Sequence, residues 1–371
     1  MSLRIGINAL YLIPGGVGGT EIYLRSLVEA LAAIDPVNQY FLFTNRETGA
    51  GLVPGQPNFH SRPQPVRAVS RPARIRWEQT GLPVATARLR LDVLLNPGFT
   101  APIWCGCPQV TVFHDLQHRR HPEYFRWFDL PFWRALLFAS AHVSRALIAV
   151  SEATRADVLA HYRLPPSKVV TVLSGVDEAF FAIAARRRPE PLLLSVSTLH
   201  PHKNLDGLLR AFACFHRVHP EYRLVVSGLH GFFTADLLEL RDRLGLRDAV
   251  EFPGWIPRED LHDLFARAAA FFYPSRFEGF GIPVLEALAA GVPTACSDIE
   301  PLASNAGGAA LRFDPGDIDS ICAAMLRLTG DADLRARLAD AGPRRARAFS
   351  WRRTASETLE VLKSAALAAG P

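Results

Sequence analysis

The chain has 371 residues, 49% of them hydrophobic and 21% charged, and a formal net charge of +5. That length allows two domains with separate cores. The excess of positive charge comes with no nucleic-acid recognition motif, and the most apolar stretch, 135–150, is broken by His142 and Arg145 and is too short to cross a bilayer, so neither a nucleic-acid partner nor a transmembrane span is expected.

Leu3 to Ala9 alternates as a strand and runs into Pro14-Gly-Gly-Val-Gly-Gly-Thr20, after which Ile22, Leu24, Leu27, Val28 and Leu31 have the spacing of an amphipathic helix. The start of the chain, MSLRIGINALYLIPGG, has no basic head followed by a sustained apolar core, so no signal peptide is expected. The glycine loop lets a ligand approach the backbone, but its spacing is not the dinucleotide G-x-G-x-x-G. Tyr40 to Thr44 reads as the next strand. From Gly49 to Trp77 there is no acid, while Arg62, Arg67, Arg71, Arg74 and Arg76 stand beside Trp77. Such a patch can attract anionic lipid head groups or a phosphorylated acceptor, and a solvated basic loop is the simpler alternative.

Leu91 to Leu95 and Val110 to Phe113 follow as buried strands, the second ending at His114-Asp115. A histidine at a strand end is a candidate site residue, with Asp115 to orient it, or else a core residue. His114, His118 and His121 would make a metal set only on one helix, and Pro122 and the strand before His114 oppose that geometry, so no metal is expected. The five cysteines are odd in number and lack zinc spacing, Cys105-Gly-Cys107 being too close, which fits a reducing cytoplasmic compartment. Trp127, Phe128, Phe132, Trp133 and Phe138 form an aromatic helical stretch beside Arg119, Arg120, Arg126 and Arg134. Core packing explains most of it, and its basic-aromatic edge could rest peripherally on the inner face of a membrane. Ser151 reads as a helix cap, with no nucleophile elbow around it.

Arg186 to Pro191, rich in charge and proline, reads as a linker between two strand-helix series. This places a first domain at 1–185, the linker at 186–191, a second domain at 192–350 and a final helix at 351–371. Leu192 to Ser197 opens the second series, and the loop after it carries His202 and Lys203 just before a helix with Leu205, Leu208, Leu209 and Phe212 on one face. Lys203 can place an ammonium on a diphosphate, or it is an exposed surface lysine. Phe271-Phe272-Tyr273, stopped by Pro274, is a further strand. Its loop passes through Glu278, Gly279, Phe280, Gly281 and Ile282 into a helix containing Glu286, and Gly291 and Pro293 end that helix. The loop amides and the helix dipole suit phosphate oxygens. The two carboxylates would repel phosphate and suit sugar hydroxyls instead, or Glu286 merely favours the helix start and Glu278 is solvated.

The segment FEGFGIPVLEALAAGVP resembles the Glu-x7-Glu signature of retaining glycosyltransferases of the two-domain GT-B fold, a family that includes bacterial mannosyl- and glucosyltransferases of cell-envelope polysaccharide biosynthesis. The resemblance spans nearly the whole chain. It implies an α/β protein of two Rossmann-like parallel-sheet domains facing a cleft, the C-terminal helix packing back on the first. It implies that Glu278 contacts the donor sugar and Glu286 the nucleotide ribose. HDLQHRRHPEYF resembles the family's His-Asp-Leu segment, placing His114 near the reacting sugar, and Gly18, Gly19 and Thr20 become the wall facing donor phosphate and acceptor. Ser174-Gly-Val-Asp177 resembles the family's Asn-Gly-Val-Asp turn with serine for asparagine, and Gly254-Trp-Ile-Pro257 the loop near the base. Lys203 matches a donor-binding lysine, while Thr198 lies near where many relatives have arginine, a charge that His202 or Arg276 could supplement.

The function so implied is transfer of a mannose- or glucose-type hexose, with retention, from GDP-mannose or a UDP-hexose to a glycan or lipid-linked acceptor, without a required cofactor. Lys203 and the amides of 279–282 would stabilise the departing nucleotide diphosphate. Two other readings stay open: a two-carboxylate glycoside hydrolase using Glu278 and Glu286, and a sugar-nucleotide-binding scaffold without catalysis.

Overall fold

The computed structural model describes residues 2–16, 18–49 and 51–367. The described chain divides into two compact units, one running up to Gly175 and resuming at Trp351, the other comprising Val176–Ser350.

The first unit contains β1 (Arg4–Asn8), α1 (Gly19–Ile34), β2 (Gln39–Phe43), β3 (Phe59–Ser61), α2 (Arg71–Arg88), β4 (Val93–Asn96), β5 (Gln109–Phe113), α3 (Gln117–Arg120), α4 (Leu130–Val143), β6 (Ala146–Ala149), α5 (Glu152–Tyr162) and β7 (Val169–Thr171). Apart from the edge strands β3 and β7, the strands are short, mostly apolar runs buried on both faces, as helix-covered parallel strands are. They pair in parallel in the order β3-β2-β1-β4-β5-β6-β7. The order reverses between β1 and β4, which opens a crevice at their carboxyl ends. As expected, Ser151 Oγ caps α5 by accepting from the Thr154 amide at 3.0 Å.

The second unit contains α6 (Glu178–Ala184), β8 (Glu190–Val196), α7 (Leu205–His216), β9 (Arg223–Ser227), α8 (Thr234–Arg243), β10 (Val250–Gly254), α9 (Arg258–Arg267), β11 (Ala268–Tyr273), α10 (Ile282–Ala289), β12 (Thr294–Ser297), α11 (Leu302–Ala306), β13 (Leu311–Phe313), α12 (Ile318–Gly330) and α13 (Ala332–Ala346). Its parallel sheet runs β10-β9-β8-β11-β12-β13 and reverses between β8 and β11. Leu205, Leu208, Leu209, Phe212 and Phe215 of α7 are all buried in a core with Phe272 and Met325, so the apolar spacing along this helix marks its inner face. A bridge between Val176 and Ser350 brings the two ends of this unit side by side. The last helix, α14 (Trp351–Leu367), packs on α1 and over β4, β5 and β6 of the first unit.

Three expectations change. The division falls after Gly175 and not after 185, because α6 packs on α9 and α10. The segment 186–191 is built into the second unit and is not a free connection: Glu190 already pairs with Ala268 in the sheet, and the Arg187 guanidinium donates to the carbonyls of Gly291 and Ala268. The run of arginines at 62–76 is also not one free patch. Arg74 is buried against Glu78, Arg67 pairs with Glu47 at 3.0 Å, and Arg62 lies over the ring of Phe41. A helix period of 3.6 turns Arg74 inward while its neighbours at 71 and 76 stay out.

Candidate active site

In the second unit the switch point joins two loops. The loop after β8 makes a short 3-10 turn, Pro201–Lys203, and then Asn204 takes a left-handed conformation, φ +55°, to start α7. Asn204 Nδ2 donates to the carbonyls of Pro274 at 3.0 Å and Pro315 at 2.8 Å, tying this loop to those after β11 and β13. The Arg276 amide donates to His202 O at 2.8 Å, and the Ser275 hydroxyl lies 3.1 Å from the same oxygen. Strand order thus makes β8 and β11 neighbours, and side chain and backbone together lock their loops.

The consequence is that Lys203 and Glu278, 75 residues apart, form an ion pair at 2.6 Å. Both are largely buried, and Lys203 Nζ also donates to the Tyr273 hydroxyl at 3.1 Å. Burial and the Glu278 carboxylate raise Tyr273 well above the usual phenol range, so this hydroxyl stays neutral. Tyr273 was not singled out in the sequence, where it looks like the last apolar residue of a strand. Its place between a cation and a carboxylate depends on β11 lying next to β8.

Gly281 stands at φ +88°, and a Cβ there would come within 2.2 Å of Leu302 Cδ2, so both backbone and space require glycine. Asn305 Nδ2 donates to Phe280 O at 2.8 Å, with Arg345 Nε holding Asn305 O at 2.9 Å. Pinning the Phe280 carbonyl fixes the next amide as well, because in a trans peptide the Gly281 N–H points the opposite way. Among the described residues no acceptor takes the amides of Phe280, Gly281 or Ile282. Together with the start of α10 they form a set of donors suited to an anion.

Glu286 lies one turn into α10 and is 7% exposed. Its carboxylate has no hydrogen-bond partner among the described residues, and burial pushes its pKa up to about 7, with Arg258 opposing. Arg258, at the start of α9, pairs with Asp177. A buried acceptor without a donor is costly unless a ligand supplies one.

In the first unit, His114 follows β5 directly, and its Nε2 lies 2.8 Å from Pro97 O in the loop after β4. A carbonyl only accepts, so Nε2 carries the proton and Nδ1 is left as an acceptor. Burial lowers the His114 pKa to about 4, keeping the ring neutral near pH 7. Tyr23 of α1 packs edge-on at 4.8 Å and Phe99 at 5.1 Å. Asp115, expected to orient His114, accepts from the Gln117 amide at 2.9 Å, and the orienting bond is the one His114 Nε2 donates to Pro97 O. Gly18 sits at φ +58° and ψ −129°, closed to other residues, at the cap of α1. A Cβ on Gly19 would meet nothing, so protein packing leaves the space over it open. Tyr11 donates to Thr20 O at 3.1 Å.

The histidines considered for a metal have other partners: His118 bonds Tyr162 at 3.0 Å and His121 pairs with Glu123 at 2.9 Å. Among the described residues, neither Thr198 nor the exposed Arg276 makes a side-chain hydrogen bond to Lys203 or Glu278.

Comparison with known proteins finds a family match in each half of the chain. A family model described as glycosyl transferases group 1 matches residues 176–345, starting where the second unit starts, and one described as glycosyltransferase family 4 matches 17–180. The chain is 31% identical over 270 residues to O-antigen chain mannosyltransferase B of Escherichia coli, covering 68% of this chain and 70% of that one. It is 29% identical over 399 residues to D-inositol 3-phosphate glycosyltransferase of Streptomyces scabiei, covering 95% and 87%. Among solved structures, sucrose-phosphate synthase of Thermosynechococcus elongatus superposes with a TM-score of 0.80 at 19% identity, covering 99% of this chain and 100% of that one, a likeness of fold.

Proposed function

The chain belongs to the glycosyl transferases group 1 family and is a glycosyltransferase, and from that premise we propose that it moves a mannose- or glucose-type hexose, with retention of anomeric configuration, from a nucleotide-diphosphate sugar to a hydroxyl of a glycan or lipid-linked acceptor. The observation that carries the reading is the cluster at the second switch point, where a cation, a carboxylate and unfilled amides meet. The bond from the sugar C1 to the diphosphate oxygen breaks, the acceptor oxygen bonds to C1 from the same face, and the acceptor proton passes to the leaving phosphate.

Lys203 and the amides of Gly279, Phe280, Gly281 and Ile282 hold the diphosphate, and their attraction grows as it departs with a full charge. Lys203 must then share its ammonium between Glu278 and phosphate. Glu278 accepts from hydroxyls of the sugar, and Glu286 from the ribose. Of the first unit's residues, we assign His114, through its Nδ1, to the reacting sugar, and Gly18, Gly19 and Thr20 to the wall facing donor phosphate and acceptor. Leaving-group assistance comes from these groups, so the proposal includes no metal. A mannosyltransferase among the relatives favours GDP-mannose, with UDP-hexoses as the second choice. Five free thiols fit a reducing, cytoplasmic setting.

The test is a screen of GDP-mannose and UDP-hexoses with mass analysis of acceptor products and NMR of the new linkage. A product with the donor's anomeric configuration supports the proposal. Inversion sinks the retaining assignment, and glycoside hydrolysis without a nucleotide sugar sinks the donor assignment.

A further inference from the structure

The loop between β4 and β5 carries the pair Cys105-Gly-Cys107, which the chemistry of the second switch point does not use. One residue between two cysteines is too few for a zinc site, but the same shortness brings the sulfurs together: Cys105 Sγ lies 3.6 Å from Cys107 Sγ. The loop is fixed on both sides of this contact. Gln79 of α2 donates through Nε2 to Ala101 O at 3.0 Å and accepts through Oε1 from the Ile103 amide at 2.8 Å, and Gln109 Nε2 donates to Pro102 O at 2.8 Å. After the pair, Pro108 O accepts from the Leu94 amide at 2.9 Å. Between these anchors the two cysteines pack on the apolar cluster of Leu82, Leu91 and Leu94.

Their other side faces solvent. Both cysteines are half-buried, Trp104 beside them is 80% exposed, and a Cβ on Gly106 would meet nothing within 4 Å, so a small reagent can reach the sulfurs. A fully buried structural cysteine is inert, whereas a reachable thiol whose thiolate is held by its neighbours reacts. Thr86 Oγ1 lies 3.7 Å from Cys105 Sγ. The Cys107 thiol and the amides of Cys107 and Gly106 favour the Cys105 thiolate and bring it below the ordinary thiol value, while Cys105, burial and Asp92 hold Cys107 above that value. The two thiols therefore take different parts, Cys105 attacking and Cys107 resolving.

We propose that Cys105 and Cys107 form a redox-active dithiol that small disulfides oxidise reversibly. The Cys105 thiolate attacks one sulfur of the small disulfide and expels the other half as a thiolate, which leaves a mixed disulfide on Cys105. Cys107 then attacks Cys105 Sγ, releasing the second half. Two protein thiols become one disulfide, the small disulfide becomes two thiols, and the two protons follow the two electrons from one pair to the other. The ring so closed holds one residue between its cysteines, fewer than the two of C-x-x-C oxidoreductases, and a strained, exposed disulfide is readily reduced. Neither Lys203, Glu278, Glu286 nor His114 takes part, so the proposal stands apart from the sugar-transfer reading.

The test is treatment of the whole reduced chain with oxidised glutathione, then maleimide counting of thiols in denaturant and peptide mass mapping. The five thiols should fall by two, with Cys105 joined to Cys107, and dithiothreitol should restore all five. Cys107→Ser should stop at a glutathione adduct on Cys105. Cys105→Ser should take up glutathione at Cys107 about tenfold more slowly, having lost the favoured thiolate. In urea the neighbours that hold the thiolate are gone, and oxidation of the wild type should slow about tenfold. Circular dichroism checks the fold of the serine variants, and the wild-type results need no variant. No loss of thiols, a glutathione adduct that the wild type leaves unresolved, preferential linking of Cys214 to Cys322, equal reactivity of the two variants, or equal rates in buffer and urea overturns the proposal.

Discussion

Glu286 ties residue chemistry to pH in a way that can be measured. Burial pushes its pKa in the folded protein up to about 7, above the ordinary glutamate value of 4.5, so the folded protein holds the proton more tightly than the unfolded chain. Its contribution to stability is therefore full below about pH 4.5 and is lost as pH rises through about 7. Glu286→Gln should stabilise the unliganded protein by up to about 3 kcal/mol at pH 8 and by nothing at pH 4.5, read from melting curves at both pH values. On the role proposed for Glu286, ribose hydroxyls would donate to its ionised form, so nucleotide affinity should rise through pH 7 in the wild type. Calorimetric titration of Glu286→Gln should show that part of the slope removed. Lys203 and Glu278 make the second residue-scale case. Lys203→Ala leaves Glu278 buried without its cation, costing about 3 kcal/mol of stability and, if the ammonium meets the diphosphate, about 100-fold in kcat/KM. Replacing the pair by Met and Leu should restore the melting temperature without restoring transfer, which separates folding from catalysis. His114→Ala should lower transfer about tenfold, one hydrogen bond to a substrate hydroxyl.

At the scale of elements, the site depends on how loops enter helices. The entry to α10 needs Gly281 on two counts, its positive φ and the Leu302 methyl beneath it. Gly281→Ala should cost about 3 kcal/mol and disturb the amides of 280–282, so nucleotide affinity should fall even in protein that remains folded, as binding at low temperature would show. The entry to α7 depends on Asn204, whose amide reaches two carbonyls from other loops. Asn204→Ala should cost about 2 kcal/mol and loosen Lys203, raising KM for the donor more than it lowers kcat. Both helices could be expected from apolar spacing. Their locking could not, since Leu302, Pro274 and Pro315 are brought in by strand order.

For the whole molecule, the two units differ in continuity. The second is one uninterrupted stretch whose ends meet at the Val176–Ser350 bridge, while the first is closed by α14 from the far end of the chain. Residues 176–350 expressed alone should melt cooperatively and bind nucleotide. A chain stopped at Ser350 should lose the first unit instead, because Ala355, Leu359 and Leu362 of α14 are buried there and Trp351 packs 5.7 Å from Tyr23, the ring that braces His114. Limited proteolysis of that truncation should leave a resistant fragment from the second unit. Survival of the first unit instead would contradict the division.

Local chemistry explains what could be read from residue order alone. Apolar runs of four to six residues, glycine loops and capping residues such as Ser151 act over a few positions, so they identified strands, helices, two strand-helix series and the loops carrying Lys203, Glu278 and His114 without reference to distant segments, while the family resemblance implied the two parallel sheets. Other features depended on segments far apart in the chain. The partner of Lys203, the role of Tyr273, the carbonyl that sets the His114 tautomer and the inward turn of Arg74 were decided by which strands became neighbours and how helices rotated against them. A hydrogen bond or ion pair forms over about 3 Å in space and is indifferent to separation along the chain, so packing alone could select it.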